Sequence, residues 1–323
     1  MILVTGGAGY IGSHMVKMLR GDGREVLVLD DLSTGFEEAL LGASLVRGSI
    51  GDAALLDQIF FTHPIDAVMN FASFIAVGES VAKPDLYYGN NVGNTLVLLQ
   101  AMQRHGIRKY IFSSTAAVYG DPTHVPIDES HPKQPINPYG RSKWMIEQVL
   151  EDFQSAFAFE SVCLRYFNAA GADPQGELGE RHDPETHLIP LVLQAASGRR
   201  PFISVFGDDY DTPDGTCIRD YIHVQDLCTA HLLALDHLLS GGQSRRFNLG
   251  NGQGFSVKEV IDVARTVTGK PIEVRMQPRR PGDPPRLIAD SRLIQTELGW
   301  KPQFADLSTI VEDAWQWEQR LPA

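Results

Sequence analysis

A strand that runs into a glycine-rich turn and then directly into a helix is compatible with few folds, and this chain begins with one. Ile2–Thr5 is a short apolar run, and Leu3-Val4-Thr5-Gly6-Gly7-Ala8-Gly9-Tyr10-Ile11-Gly12-Ser13 carries it into a helical pattern. A dinucleotide pyrophosphate needs backbone N–H groups at the positive end of a helix, with no Cβ in the way. Glycine supplies the turn and the close approach, and the third glycine lets the helix pack on its strand. Two registers fit, Gly7-x-Gly9-x-x-Gly12 and the wider Gly6-x-x-Gly9-x-x-Gly12. A plain glycine turn between strand and helix is the alternative, and the position inside a βαβ unit favours the nucleotide reading.

The pattern repeats. Ile2–Thr5, Glu25–Leu29, Leu45–Arg47, Asp66–Asn70, Lys109–Ser113 and Ser161–Arg165 read as strands, and Ile11–Arg20, Ala53–Phe61, Pro84–His105 and Asn137–Phe157 as helices between them. Strands separated by helices of this length predict an α/β fold with a doubly wound parallel sheet of Rossmann type. After Asn168 the texture changes. Ala170–Pro184 and Gly207–Gly215 read as long loops, and helical patterns return at His187–Ser197, Val224–Leu239, Val257–Thr268 and Asp306–Arg320, with a Pro/Arg-rich stretch at Gln277–Pro285. A chain of 323 residues therefore divides into a nucleotide-binding domain over 1–168 and a smaller, loop-rich α/β substrate lobe over 169–323, with some later segments returning to the first.

Net charge is −12, which offers no general surface for nucleic acid or anionic membrane. No apolar stretch reaches the roughly 18 residues of a transmembrane helix, and with the apolar Ile2-Leu3-Val4 start no signal peptide is expected. Cys163, Cys217 and Cys228 form neither a CxxC pair nor a zinc-ligand spacing, so a reducing, cytoplasmic setting and no metal are expected.

Leu29-Asp30-Asp31 closes the second strand, where an acidic side chain accepts from both ribose hydroxyls and repels a 2′-phosphate. Turn formation is the alternative, which Asp31 alone satisfies, and Asp30 is read as the ribose ligand with NAD preferred over NADP. Tyr139 and Lys143, in Asn137-Pro138-Tyr139-Gly140-Arg141-Ser142-Lys143, lie one turn apart on one helix face. A phenol with a pKa of about 10 is a poor base, and a nearby ammonium favours its phenolate. Upstream, Phe112-Ser113-Ser114-Thr115-Ala116-Ala117-Val118-Tyr119-Gly120 places hydroxyls at the carboxyl end of a strand, where open α/β sheets bind ligands. Thr115 there completes a Thr–Tyr–Lys set, while Ser113 and Ser114 equally suit backbone capping.

These motifs, together with Leu164-Arg165-Tyr166-Phe167-Asn168, Arg219-Asp220-Tyr221-Ile222-His223-Val224, Ala76-Val77-Gly78-Glu79-Ser80 and Tyr87-Tyr88-Gly89-Asn90-Asn91, resemble the UDP-glucose 4-epimerase family of extended short-chain dehydrogenase/reductases over nearly the whole chain. The resemblance implies that Gly6, Gly9, Tyr10, Ile11 and Gly12 line the NAD pyrophosphate and that Asp30 holds the adenosine ribose. Ser49, Ile50, Phe71, Ala72, Asn90, Ser113 and Tyr166 fall along the cofactor. It gives the catalytic roles to Thr115, Tyr139 and Lys143. It assigns Asn168, His187, Leu188, Phe206, Arg219, Arg280 and Asp283 to the UDP-sugar. Arginine suits that task because its planar fork pairs with phosphate oxygens.

The implied reaction is reversible inversion at carbon 4 of a UDP-hexose through a 4-keto sugar, with transient reduction of NAD and a homodimer paired through the two long helices. Some details depart from the family. Ser49-Ile50 stands where Asp-Ile is frequent, Ile75 where some members have Lys, and Thr186-His187-Leu188 where some have paired Asn before Leu. Leu287, at a position associated with acceptance of N-acetylated sugars, is intermediate in size. UDP-N-acetylhexosamine, UDP-pentose and UDP-uronate epimerases are the alternatives, with a non-catalytic dinucleotide-sensing module further off. Dehydratases of the class carry Asp-Glu after the active-site Thr, and Ala116 and Ala117 here move no proton.

Overall fold

The computed structural model describes residues 1–280 and 283–321, so Pro281 and Gly282 of the Pro/Arg-rich stretch lie outside the described residues. Six strands, β1 (Ile2–Thr5), β2 (Val26–Asp30), β3 (Ser44–Arg47), β4 (Ala67–Asn70), β5 (Lys109–Thr115) and β6 (Glu160–Tyr166), are joined by Arg245–Leu249 in one seven-stranded sheet. Its order runs Arg245–Leu249, β6, β5, β4, β1, β2, β3, and β1 pairs in parallel with β2 and with β4. This is the doubly wound order expected of the sequence. It reverses between β1 and β4, and ligands of open α/β sheets bind outside the carboxyl ends of the strands at such a point. β1 and β4 are buried along their whole length, which is why they read as continuous apolar runs rather than alternating ones.

The chain divides into two compact units. One comprises Met1–Gly120, Pro132–Arg165 and Cys228–Phe247, and the other Asp121–His131, Tyr166–Leu227 and Asn248–Ala323. Segments 121–131 and 228–247 thus belong to units other than those a single cut at residue 168 would give them. In the first unit Leu3, Leu29, Val68 and Phe112 of the strands pack with Leu56, Ile59, Leu98, Met102, Ile146 and Leu150 of the helices. Burial of a Leu or Ile side chain stabilises by about 1.5–3 kcal/mol, so this cluster holds the helices on the sheet. Helix Pro138–Phe157 starts where the Asn137 side chain accepts the Gly140 N–H at 2.8 Å, with proline at its first position.

The predicted helix Pro84–His105 is not continuous. Pro84–Tyr87 passes into a π-helical stretch, Tyr88–Asn94, before Thr95–Arg104 resumes as α-helix. Asn91, buried within that stretch, accepts the Phe74 N–H and donates to the Phe74 carbonyl, and this pins the widened turn to a neighbouring loop. In the second unit, Ile189, Val192 and Leu193 of helix Leu188–Ser197 pack with Val260 and Ile261 of Val257–Thr268 and Ile310 and Val311 of Leu307–Glu318. A capping box at Ser256 and Glu259 opens Val257–Thr268, and left-handed Gly269 ends it. Among the described residues no helix is long and apolar enough to cross a membrane.

Candidate active site

The glycine turn forms around the end of β1. Gly6 has φ +70°, and a Cβ there would lie 2.4 Å from the Ala72 nitrogen that follows β4. At Gly12 a Cβ would meet the Gly6 carbonyl oxygen at 2.1 Å, and at Gly7 it would meet the Val28 side chain at 2.7 Å. Three glycines are therefore demanded by the fold itself. Gly9 differs, because a Cβ there would meet only the Gly6 carbonyl oxygen, at an ordinary 3.4 Å. Gly9 is also the N-cap of helix Tyr10–Gly21, which has no side-chain cap and no acidic residue in its first turn. Uncapped amides at a helix start favour an anion.

Asp30 ends β2 and is buried. One carboxylate oxygen accepts the Ala8 N–H at 2.9 Å and the other the Leu32 N–H at 2.8 Å. Burial pushes its carboxyl up from the usual range, and these two amides oppose the shift. Each carboxylate oxygen still has capacity for a further donor. Phe71 and Ala72 leave β4 beside Gly6, with the Phe71 N–H bonded to the Thr5 carbonyl at 2.8 Å. Below them Asn70, which sequence reading passed over, accepts from the Thr5 hydroxyl at 2.7 Å and donates to the Tyr110 hydroxyl at 2.6 Å, linking β1, β4 and β5. Ser49 accepts the Gly51 N–H at 3.1 Å, and Ile50 belongs to the core. Asn90, on the π-helical stretch, donates to Asn91 and accepts from Asn94, each at 3.1 Å.

Thr115, Tyr139 and Lys143 come together in this same unit, all buried. Thr115 is the last residue of β5, and its hydroxyl accepts the Ala117 N–H at 3.1 Å. Burial pushes the Tyr139 phenol up, and a hydrogen bond with Thr115 opposes that rise. Lys143 donates to the Ser113 carbonyl at 2.9 Å and lies 5.9 Å from the centre of the Tyr139 ring. Burial brings its pKa down to about 7, while the charge of Glu147 works to raise it. Ser113 thus holds the lysine through its backbone, and Ser114 donates to Glu147 at 2.6 Å.

Glu147, one turn beyond Lys143, was not singled out in the sequence. It is fully buried and binds Arg165 of β6 through contacts of 3.0 and 2.5 Å, while Arg165 also donates to the Tyr119 hydroxyl at 2.8 Å. A glutamate four residues after a lysine reads as an exposed helix pair, so only the packing shows its burial.

The residues assigned to a UDP-sugar lie in the second unit. Arg219 donates to Asp283 at 2.5 Å, and the Arg280 guanidinium sits 3.8 Å from the centre of the Phe206 ring. Asn168 donates its side-chain amide to the Asp220 carbonyl at 3.0 Å. Tyr166 closes β6, half-buried, and Leu188 opens its helix. His187 turns Nδ1 towards Glu180, 2.5 Å away. That nitrogen is therefore engaged within the unit.

A doubly wound sheet with a glycine turn at its switch point and a Thr–Tyr–Lys set at the end of β5 defines a dinucleotide-dependent enzyme of the short-chain dehydrogenase/reductase class. Comparison with known proteins is more specific: residues 2–250 match the NAD dependent epimerase/dehydratase family, and the chain belongs to it. Over 321 residues it is 56% identical to a UDP-glucose 4-epimerase of Halalkalibacterium halodurans, covering 99% of this chain and 96% of that one. The UDP-glucose 4-epimerase of Brucella ovis, solved in complex with NAD, superposes with a TM-score of 0.95 at 49% identity, covering 97% of each chain. That of Bifidobacterium longum, solved with NAD+ and UDP, gives a TM-score of 0.94 at 41% identity, covering 99% of this chain and 98% of the other.

Proposed function

We propose that this protein interconverts UDP-glucose and UDP-galactose by inverting carbon 4 through a 4-keto sugar, with NAD as its cofactor. The observation that carries this reading is the buried Thr115–Tyr139–Lys143 set, followed by Ala116 and Ala117, which exchange no protons. The first unit suits a dinucleotide. Gly6, Gly9, Tyr10, Ile11 and Gly12 take the pyrophosphate at the uncapped helix start, where the space above Gly9 admits a phosphate. Asp30 takes the ribose, and Ser49, Ile50, Phe71, Ala72, Asn90 and Ser113 take the rest, with Tyr166 of the second unit assigned to the cofactor as well. When bound, NAD supplies a reversible hydride acceptor whose ring carries positive charge.

The chain's own part is proton transfer and orientation. Tyr139 removes the proton of the sugar hydroxyl and later returns it, and Thr115 hydrogen-bonds the reacting oxygen. A phenol pushed up by burial needs a neighbouring positive charge to ionise, and Lys143 provides one. Its bond to the Ser113 carbonyl keeps the ammonium in place. In the second unit Asn168, His187, Leu188, Phe206, Arg219, Arg280 and Asp283 receive the UDP portion. Arg219 and Arg280 neutralise its diphosphate, and any part played by His187 falls to the ring edge away from Nδ1.

A homodimer is part of this reading, supported by Val77, Val81, Leu86 and Met145, which leave apolar surface exposed on the helices of the first unit. A cytoplasmic setting is supported by three free, buried cysteines. The test is epimerisation of UDP-galactose and, in parallel, of UDP-N-acetylgalactosamine by the purified protein, with Tyr139→Phe as control. The ratio of the two rates reports on the pocket around Leu287. Failure to convert either substrate with NAD supplied refutes the hexose assignment.

A further inference from the structure

The second unit holds a cluster of which the proposed reaction uses only the edge of His187 away from Nδ1. The segment Glu180-Arg181-His182-Asp183-Pro184-Glu185-Thr186-His187 spaces two carboxylates and two imidazoles so that one ligand atom from each lies within 4.8 Å of all the others. Both imidazoles present Nδ1 inward. His182 Nδ1 is 3.2 Å from Glu180 and 3.5 Å from Glu185, and His187 Nδ1 is 2.5 Å from Glu180 and 3.6 Å from Glu185. Four donors bound to zinc at about 2.0–2.2 Å in a tetrahedron stand about 3.3–3.6 Å apart. The His182 contacts to Glu180 and Glu185 already have that spacing, the His187–Glu180 edge must open, and His187 faces the other Glu185 oxygen.

Charge and burial point the same way. The Glu180 and Glu185 side chains are 5% and 4% exposed, and two carboxylates facing each other out of water require compensating positive charge. Either two imidazolium rings, which the facing carboxylates favour, or one divalent cation held by neutral rings balances both carboxylates. A mixed set of two nitrogens and two oxygens suits zinc better than calcium or magnesium, which take oxygen almost throughout. The surroundings orient the donors. One Glu185 oxygen accepts the N–H groups of Thr186 at 2.7 Å and His187 at 2.9 Å, which leaves its other oxygen facing His182. The Glu180 carbonyl accepts the Trp317 indole N–H at 2.9 Å, and the Trp317 ring lies where a Cβ on Gly179 would stand. His187, 42% exposed, leaves a path from solvent.

We propose that Glu180, His182, Glu185 and His187 form a structural zinc site that clamps the loop ahead of helix Leu188–Ser197. The site closes an eight-residue segment onto itself directly before Leu188 and holds the start of that helix. It does not depend on the reaction assigned above.

The test uses the full-length protein, prepared without a metal-binding tag and desalted. Its zinc content is measured by mass spectrometry, and cobalt is titrated into metal-free protein while visible absorption is followed. The expected result is about one zinc per chain, with intense cobalt bands typical of tetrahedral ligation. His182→Ala is expected to weaken binding at least about tenfold, and Glu185→Gln serves as a second variant. Circular dichroism separates loss of a ligand from loss of the fold. If both variants unfold, titration of the wild-type protein still decides. Wild-type protein that neither retains zinc nor binds added zinc or cobalt overturns the proposal, as does folded His182→Ala that binds as tightly as wild type. The four groups would then be a hydrogen-bonded imidazole–carboxylate cluster and no more.

Discussion

Glu147→Gln separates the two tasks that the structure gives this side chain. Its carboxylate is fully buried, is bound twice by Arg165, accepts from Ser114 and raises the pKa of Lys143. Glutamine keeps the shape and part of the hydrogen bonding, but leaves the buried guanidinium without its counter-charge. Removing one partner of a buried pair costs about 3–5 kcal/mol, and the retained amide places this substitution near 3. At about 2–4 °C per kcal/mol for a chain of this size, the first thermal transition should fall by about 6–12 °C.

The same substitution removes the negative charge that favours the Lys143 ammonium, so the lysine pKa moves further below its present value of about 7. Less ammonium is then present at neutral pH to sustain the Tyr139 phenolate. The alkaline limb of kcat should shift to lower pH, with the loss relative to wild type growing as pH rises. The assay is scanning calorimetry together with kcat for UDP-galactose between about pH 5 and 9, which spans the Lys143 value of about 7 and a lower one. Ser114→Ala is the control. It removes one hydrogen bond, worth about 1 kcal/mol, and leaves both charges, so its pH profile should match wild type. A Glu147→Gln protein with an unmoved pH profile and a transition within about 2 °C of wild type would refute the reasoning.

Tyr139→Phe should lower kcat by about 10²–10⁴-fold with little change in thermal stability, because only the hydroxyl is lost. Gly6→Ala forces a left-handed backbone on alanine, costing at least about 1–2 kcal/mol before the clash with the Ala72 nitrogen is counted, and should appear as a lowered melting temperature together with weakened NAD binding. Asp30→Asn should weaken NAD binding by about tenfold, equivalent to loss of a charge-assisted hydrogen bond, and weaken NADP binding less, as read by cofactor titration. Asp220, buried and accepting the N–H groups of Asn251, Gly252 and Ala289, has its carboxyl pushed up to about 6 by burial. A folded pKa above the unfolded value means that this contribution to stability is present below about pH 4 and is lost as pH rises to about 6, by at most about 3 kcal/mol. Denaturant titrations of wild type and Asp220→Asn across that range should differ in slope with that sign.

The sheet was readable because burial on both faces leaves apolar runs such as Leu3-Val4 and Val68-Met69 unbroken, and because Gly6, Asn137-Pro138 and Gly269 mark turns and helix ends through their own backbone preferences. The strand Arg245–Leu249 was not readable, since an arginine pair at its start hides an edge strand of the main sheet behind a charged surface pattern. The break in Pro84–His105 was hidden for a related reason. A π-helical turn comes from Asn91 bonding to Phe74, seventeen residues away, and apolar periodicity does not report such a bond.

Local sequence alone therefore determined the doubly wound architecture, the glycine turn and the Tyr139–Lys143 face, because each follows from spacing within a few residues. Tertiary structure decided what surrounds those features. Glu147 and Arg165 are 18 positions apart and become a buried pair only when helix and strand pack. Glu180, His182, Glu185 and His187 are close in sequence but have neither helical nor strand period. Their convergence depends on the path of the loop, which is secured by Trp317, 137 positions from Glu180. Spacing along a chain sets which side chains share a regular element, whereas charge pairing and ligand convergence need distances in space, and only the packed fold supplies those.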